Sequence, residues 1–382
     1  MEKQDIIRTG DFTESMAPMV TNTRNILVVG CGDGGCNIAS TIAQAIPDNC
    51  FAIAYNMSNR AMDYQTANTR IWPFGVDGSG KVRVDATETF KKTTGRKFME
   101  RVMEVVAKME RCDYVLVVGT ADGGTGSGTV PIMAKLMAAN LDIPVVILGV
   151  YPSINEDAMS QYNAIQWQKE VTMTGLPYII LDNNSEGTLT DVHHRVNNYA
   201  ADIAKLLVGK TYGNTDISII DNRNLYMLIQ QMGGRIVIAG RPGRINSQDD
   251  LSTYIMNTLL PFDFQPEPAG VKGIGLFVKG PKELIDRADT DLLKLQETYG
   301  QAVLKFAHLE ISEETRVSVL LSGCAEPADR LRAMQGKYDD VTNASRDGSI
   351  LAKDIAGAMA NPLGELKTMT RPETMDFSAL EG

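Results

Sequence analysis

Ten residues, ADGGTGSGTV (121–130), restrict the folds open to this chain more than any other stretch. Before them runs YVLVVG (Tyr114 to Gly119), apolar throughout, as a parallel strand buried on both faces is. After them, TVPIMAKLMAAN has the composition of a helix, with Pro131 expected in its first turn, where a missing N–H costs nothing. A strand, a turn of small residues and a helix start together aim several backbone N–H groups at one point. Such a nest attracts phosphate. A tight turn alone needs fewer small residues, so the spacing predicts an anion-binding loop.

The rest of the first half supports that reading by alternating apolar runs with helical patterns. NILVVG (25–30) leads into a Gly-rich turn and a helix, and CFAIAY (50–55) follows. A long amphipathic stretch occupies 86–110, and IPVVILGV (143–150) and LPYIILD (176–182) complete an expected parallel sheet. Ligands of such doubly wound sheets sit at the carboxyl ends of the strands. In DVHHRVNNYAADIAKLLV, Val192, Val196, Tyr199, Ile203 and Leu206 recur at helical spacing and give one apolar face. A second unit follows, with a helix in IDNRNLYMLIQQM and strands in RIVIAG, GVKGIGLFVKG, AVLKFAHLE and RVSVLLSG. Beyond Gly323 the composition turns polar, with SILAKDIAGAM expected as a late helix and a loose tail after it.

Composition excludes several classes. No run of about 18 apolar residues is present, so no transmembrane helix is expected, and the polar start MEKQDIIRTGDFTESM is not a secretory signal. Five scattered cysteines read as reduced core thiols of a cytoplasmic protein, and three histidines offer no zinc site. A net charge of −10 opposes direct binding to nucleic acid, and a filament of such subunits would need counter-ions.

Two other nucleotide motifs compete. GCGDGGCN (30–37) contains G-x-G-x-x-G at Gly30, Gly32 and Gly35, but the second strand ends in AYNMSN, with Asn56 where a dinucleotide site needs a carboxylate. GVDGSGKV (75–82) approaches a P-loop but has Val82 where magnesium needs Ser or Thr, and Pro73 makes RIWPF a poor strand before it. Lys81 and Arg83 either reach a phosphate from this loop or are solvated charges. With no P-loop lysine, backbone N–H groups and helix dipoles must hold the anion.

GGTGSG after a strand, together with the first loop GDGGCN, resembles the tubulin/FtsZ superfamily of GTP-dependent filament proteins, along most of residues 24–323. GVYPSINED and YIILDNN, with divergence in the outer loops, look most like its plasmid- and phage-encoded TubZ group. The resemblance implies an α/β, tubulin/FtsZ-like two-domain fold: a doubly wound, mostly parallel sheet, a central helix and a mixed α/β domain. The expected divisions are an extension at 1–23, a GTP-binding domain at 24–190, the central helix at 191–212, a C-terminal domain at 213–323, and a helix and tail at 324–382.

It also implies chemistry, residue by residue. Nucleotide contacts fall on Gly32, Asp33, Gly34, Gly35 and Asn37 in the first loop, and on Gly123, Gly124, Thr125, Gly126, Ser127 and Gly128 in the second. Glu156 lies in the sugar-contacting loop. Asn183 and Asn197, with Asn37, are the expected guanine readers, since an amide both donates and accepts; Asn197 is preferred over its neighbour Asn198. Each subunit of the family has its GTP site completed by the next subunit's catalytic loop. Here Asp221 takes the first acidic position, while the second falls on Asn224, a departure that weakens water polarisation. Asp216 is a possible compensating carboxylate, and Asp221 is equally well placed to cap the helix after it. Mg2+ is expected with GTP from nucleotide chemistry, with no dedicated protein ligands. The expected partner is the protein itself, head to tail, with no membrane and no direct nucleic acid. A DNA-bound adaptor is in question, since the tail LGELKTMTRPETMDFSALEG is net acidic. A non-polymerising guanine-nucleotide-binding regulator is the alternative.

Overall fold

The computed structural model describes residues 23–58, 69–71, 78–213, 215, 217–242, 245, 250–260, 265–300 and 303–346. Strands β1 (Ile26–Cys31), β2 (Cys50–Tyr55), β4 (Tyr114–Thr120), β5 (Val145–Tyr151) and β6 (Tyr178–Asp182) are parallel, with short β3 (Thr69–Ile71) at the edge. The strand in Thr69–Ile71 was not expected. It stops before Pro73, so the proline excludes only its continuation.

β7 (Arg235–Pro242), β8 (Gly273–Gly280), β9 (Leu304–Ile311) and β10 (Arg316–Cys324) form the second unit. Instead of making a separate sheet, they continue the first into one ten-stranded sheet, ordered β3-β2-β1-β4-β5-β6-β7-β10-β8-β9. The joint is short: only Tyr178↔Arg235 and Ile179↔Ile236 pair β6 with β7. β10 runs antiparallel to both β7 and β8, so the tubulin/FtsZ-like division into a parallel and a mixed half stands.

Helices cover both faces. On one lie α1 (Gly32–Ala45) and the central helix α6 (Leu189–Leu207). Ile38 and Ile42 of α1 and Val192, Val196 and Ile203 of α6 share a core with Ile236, Ile238 and Leu320 of the second unit. α6 therefore spans the seam. Its helical turns end at Leu207, because Gly209 with φ +78 takes the chain out of them. On the other face lie α2 (Arg83–Thr89), a π-helical stretch (Phe90–Thr94), α3 (Gly95–Lys108), α4 (Thr125–Asn140) and α5 (Ala158–Thr174), around Phe90, Phe98, Val130 and Trp167. In the second unit α7 (Asn222–Tyr226) runs into a π-helical stretch (Met227–Gln231). α8 (Leu251–Tyr254) and α9 (Lys282–Tyr299) cover the mixed strands.

The sequence reading named no helix at 158–174, 282–299 or 328–346. α10 (Ala328–Arg346) returns to the first unit and packs on α5. Its buried Met334 belongs to the core around Trp167, with Leu331 packed beside it. Leu331, Met334, Tyr338 and Val341 follow helical spacing, but charged residues between them hide the pattern. The expected helix SILAKDIAGAM, the N-terminal extension and Asp216 lie outside the described residues.

Candidate functional site

Parallel register brings the strand ends level. Cys31 pairs with Gly119, Thr120 with Val150, and Tyr151 with Asp182, so the loops after β1, β4, β5 and β6 leave the sheet together. They enclose a cavity of about 640 Å³.

Two helices begin at this cavity, and neither α1 nor α4 has a side-chain cap. Elsewhere Asp157, Thr188, Asp221 and Asp250 cap α5, α6, α7 and α8 by accepting a first-turn N–H. Helix starts carry orphan N–H groups and about half a unit of positive charge. Two such starts facing one cavity suit a multiply charged anion. Their close approach needs glycine. A Cβ on Gly32 (φ +71) would lie 2.9 Å from Gly126 N, and one on Gly126 would lie 2.9 Å from the carbonyl oxygens of Cys31 and Thr120.

The glycine loop is braced from behind. Pro131 lies in the second turn of α4, because the helix starts at Thr125, earlier than the composition suggested. A proline there cannot donate to the carbonyl four residues back, which is that of Ser127. Arg83 supplies the donor: its Nη2 reaches Ser127 O at 2.9 Å and its Nε reaches Ser127 Oγ at 3.1 Å, while Glu170 holds the guanidinium in a half-buried ion pair. Arg83 thus braces the loop and reaches no cavity. Lys81 lines the cavity, but Asp157 Oδ2 at 2.5 Å and Ser160 Oγ at 2.7 Å hold its ammonium. Neither is the simple solvated charge that one sequence reading allowed. Buried Asn163 gathers the carbonyls of Lys81 and Asp122 at 3.0 and 2.9 Å, tying two cavity loops to α5.

Of the expected nucleotide-binding residues, Gly32, Asp33, Gly34, Asn37, Gly123, Gly124, Thr125, Gly126, Glu156, Asn183 and Asn197 line the cavity. Gly35, Ser127 and Gly128 do not. A Cβ on Gly35 would meet Val118 O, and one on Gly128 would meet Arg83 O, so these glycines serve helix packing. Ser127 is turned towards Arg83 and the Gly123 carbonyl. Asn197 faces the cavity while Asn198 is exposed elsewhere. Buried Asn183 lines the cavity and has an Oδ1 without a hydrogen-bond partner.

Sequence reasoning missed Asn56, Ser58, Gly78 to Gly80, Thr120, Asp122, Leu189, His193 and Val196 in the lining. Asn56 was read only as a missing carboxylate; it donates to Asp33 and so fixes the first loop. His193 and Leu189 stand one and two turns before Asn197 on α6, so the phase of that helix was sufficient to find them. Burial pushes the Glu156 carboxyl above its ordinary range, and nearby Asp122 adds to this. The buried Cys31 and Cys36 thiols are likewise pushed up, Cys31 to about 12, as inert core thiols are.

Asp221 and Asn224 are far from this arrangement in sequence and line no part of the cavity. Asp221 is exposed and caps α7, its Oδ1 accepting the Asn224 N–H at 2.7 Å. Beneath it, the buried Arg24 guanidinium donates to Leu207 O and Ile220 O, fixing this segment to the end of α6. No described helix is long and apolar enough to cross a membrane.

Residues 25–187 match the Tubulin/FtsZ family, GTPase domain. Tubulin-like protein CetZ2 of Haloferax volcanii is 22% identical over 335 residues, 80% of this chain and 90% of the relative. Tubulin-like protein TubZ of Clostridium botulinum C phage is 32% identical over 178 residues, 44% of this chain and 48% of the relative. Among solved structures, a GTPγS-form protofilament of Bacillus thuringiensis serovar israelensis TubZ aligns with a TM-score of 0.72 at 16% identity, covering 85% of this chain and 94% of that one. The chain thus has a tubulin/FtsZ-like fold, and its residues 25–187 match the GTPase domain of that family. The narrower expectation of the TubZ group does not follow, because archaeal CetZ2 aligns over much more of the chain than phage TubZ does.

Proposed function

We propose that this protein binds GTP in the cavity, assembles head to tail into filaments, and hydrolyses GTP with help from the next subunit. The observation that carries this reading is the pairing of two helix N-termini without side-chain caps, in glycine-rich loops, with a cavity wall bearing Asn37, Asn183 and Asn197. The helix starts suit a triphosphate, and the amides suit the donor and acceptor edge of guanine. Glu156 stands between as an acceptor for sugar hydroxyls. Mg2+ would sit on phosphate oxygens and waters and neutralise charge there.

Asp221 is an exposed carboxylate outside the cavity, as a group serving a neighbour's nucleotide must be. There it orients the attacking water, with Asn224 assisting through its amide and polarising that water less than a second carboxylate would. Among the solved structures, one of similar fold is a GTPγS-form protofilament of TubZ, which supports the nucleotide and the self-association. Head-to-tail contacts that do not close into a ring produce filaments. Moving or positioning plasmid or phage DNA is the narrower use we assign to them, on the similarity to phage TubZ.

Sedimentation with GTP and Mg2+, against GDP and against ATP, tests the reading. We expect pelleted filaments and phosphate release with GTP alone. Tight GTP binding without any pelleted polymer would leave the non-polymerising regulator; equal ATP and GTP affinity would end the guanine assignment.

A further inference from the structure

α10 does more than cover α5. Arg330, in its first turn, is largely buried and inserts its guanidinium between the loops that follow β5 and β6. Nε meets Asp182 Oδ2 at 2.7 Å, while Nη2 meets Asp182 Oδ1 at 3.2 Å and the Pro152 carbonyl at 2.5 Å. Asp182 and Arg330 are only 12% and 10% exposed, so solvent screens this pair little. Each anchor is next to cavity residues. Asp182 Oδ1 also accepts the Asn184 N–H, and Asn184 Oδ1 accepts the Ile154 N–H, which ties the two loops together. One loop delivers Glu156 to the cavity and the other delivers Asn183.

We propose that Arg330 is a positioning residue for the nucleoside end of the site, making retention of the nucleotide depend on α10 being docked. This rests on the reading of the cavity as a GTP site. A planar guanidinium spans a carboxylate and a carbonyl in two directions at once, and a lysine ammonium does not reproduce that fork. The phosphate end has separate supports, namely the helix starts and the Arg83 brace, whose hydrogen bonds go to Ser127 and to Glu170 on α5. Loss of the latch therefore frees Glu156 and Asn183 while leaving the triphosphate cradle intact. Undocking of α10 becomes a route by which the C-terminal end of the chain controls nucleotide exchange.

The test compares the full-length protein with Arg330→Lys and Tyr338→Phe. Tyr338 packs on Tyr162 farther along α10, and this change leaves its ring in place. In the nucleotide-free proteins, hydrogen exchange at the amides of residues 153–157 and 183–185 should quicken about tenfold in Arg330→Lys only. Release of fluorescent GDP should quicken about tenfold in the same variant, while its affinity for inorganic tripolyphosphate stays within twofold of the unmodified protein. A general loss of structure would weaken tripolyphosphate and GDP together, and that result overturns the proposal. So does unchanged exchange in the two loops, or GDP release within twofold of the unmodified protein. If the unmodified protein holds no guanine nucleotide, the GTP reading fails, and the exchange measurement alone still decides whether Arg330 holds the loops.

Discussion

The helix starts at the cavity differ from those of α7 and α8 in the mixed half. In the parallel half, α1 starts on Gly32 and α4 follows Gly124; neither has a side-chain cap and both face a cavity. In the mixed half, α7 and α8 are capped by their own Asp221 and Asp250. A capped start has one of its orphan N–H groups satisfied from within the chain. An uncapped start at a cavity leaves N–H groups for something else to satisfy, so part of its stabilisation comes from what binds there. The contrast teaches where a ligand belongs and where the fold is self-sufficient. It also gives Asp221 two readings, since the carboxylate that caps α7 is the one we propose serves a neighbour's nucleotide.

Asp221→Asn breaks that ambiguity and carries the largest expected effect. Asparagine caps as well as aspartate, so stability should change by only about a few tenths of a kcal/mol. Loss of the carboxylate should cut GTP turnover by about 10² or more, with nucleotide affinity within about threefold. Filaments should form and persist. Steady-state phosphate release beside a thermal melt measures both; an Asp221→Asn protein with unchanged turnover reduces Asp221 to a cap. Mixing with subunits altered at Gly123 should restore some activity, because each supplies the half-site the other lacks.

The glycines of the parallel half come next. A Cβ on Gly126 meets two backbone carbonyls at 2.9 Å, whereas one on Gly123 meets only Thr120 Oγ1, at 3.9 Å. Gly126→Val should therefore destabilise the fold itself, by about 1–3 kcal/mol of overpacking. Gly123→Val should leave the melting temperature nearly unchanged and weaken GTP by about tenfold, roughly 1.4 kcal/mol. Calorimetric titration and melts of both variants separate the two roles. Equal loss of stability in both would remove the distinction between a packing glycine and a lining one.

The smallest effect concerns the mixed half alone. His308 is buried against Tyr212 and Phe277, with its Nε2 at 3.1 Å from the Gly213 carbonyl. Burial lowers its pKa below the usual 6.5, against the opposing pull of that carbonyl. The unfolded chain then binds the proton more readily, so the stability contributed by neutral His308 is complete above about 6.5 and falls as pH drops through and below that value. Hydrogen exchange at pH 7 and pH 5 should show β8 and β9 loosening while β1 and β4 hold. His308→Gln should remove the difference.

Much of the parallel half was legible from local pattern. Apolar runs bounded by small residues marked β1, β4, β5 and β6, because strands buried on both faces have no reason to alternate. The site was partly legible for a related reason: glycine, threonine and serine at 123–128 are dictated by close backbone approach, a local requirement. Asn163, Arg83 and Arg330 were not legible. Each acts on loops at least 40 residues away, and nothing near them in sequence indicates the partner. The same limit hid α10, whose apolar positions make sense only against α5.

The sequence alone determined the strand–glycine–helix units, the helical phase of α6 that places Asn197 at the cavity, and the cap that Asp221 gives α7. Those depend on period, backbone freedom and capping, which act over a few residues. Only tertiary structure decided that ten strands form one sheet, that Gly35, Ser127 and Gly128 pack while their neighbours line a cavity, and that Asp221 stands apart from it. It also decided that Arg330 joins the end of the chain to the cavity loops. These are matters of which surfaces meet, and meeting is set by the whole packed core, since a side chain's direction has no meaning until its neighbours from elsewhere in the chain are in place.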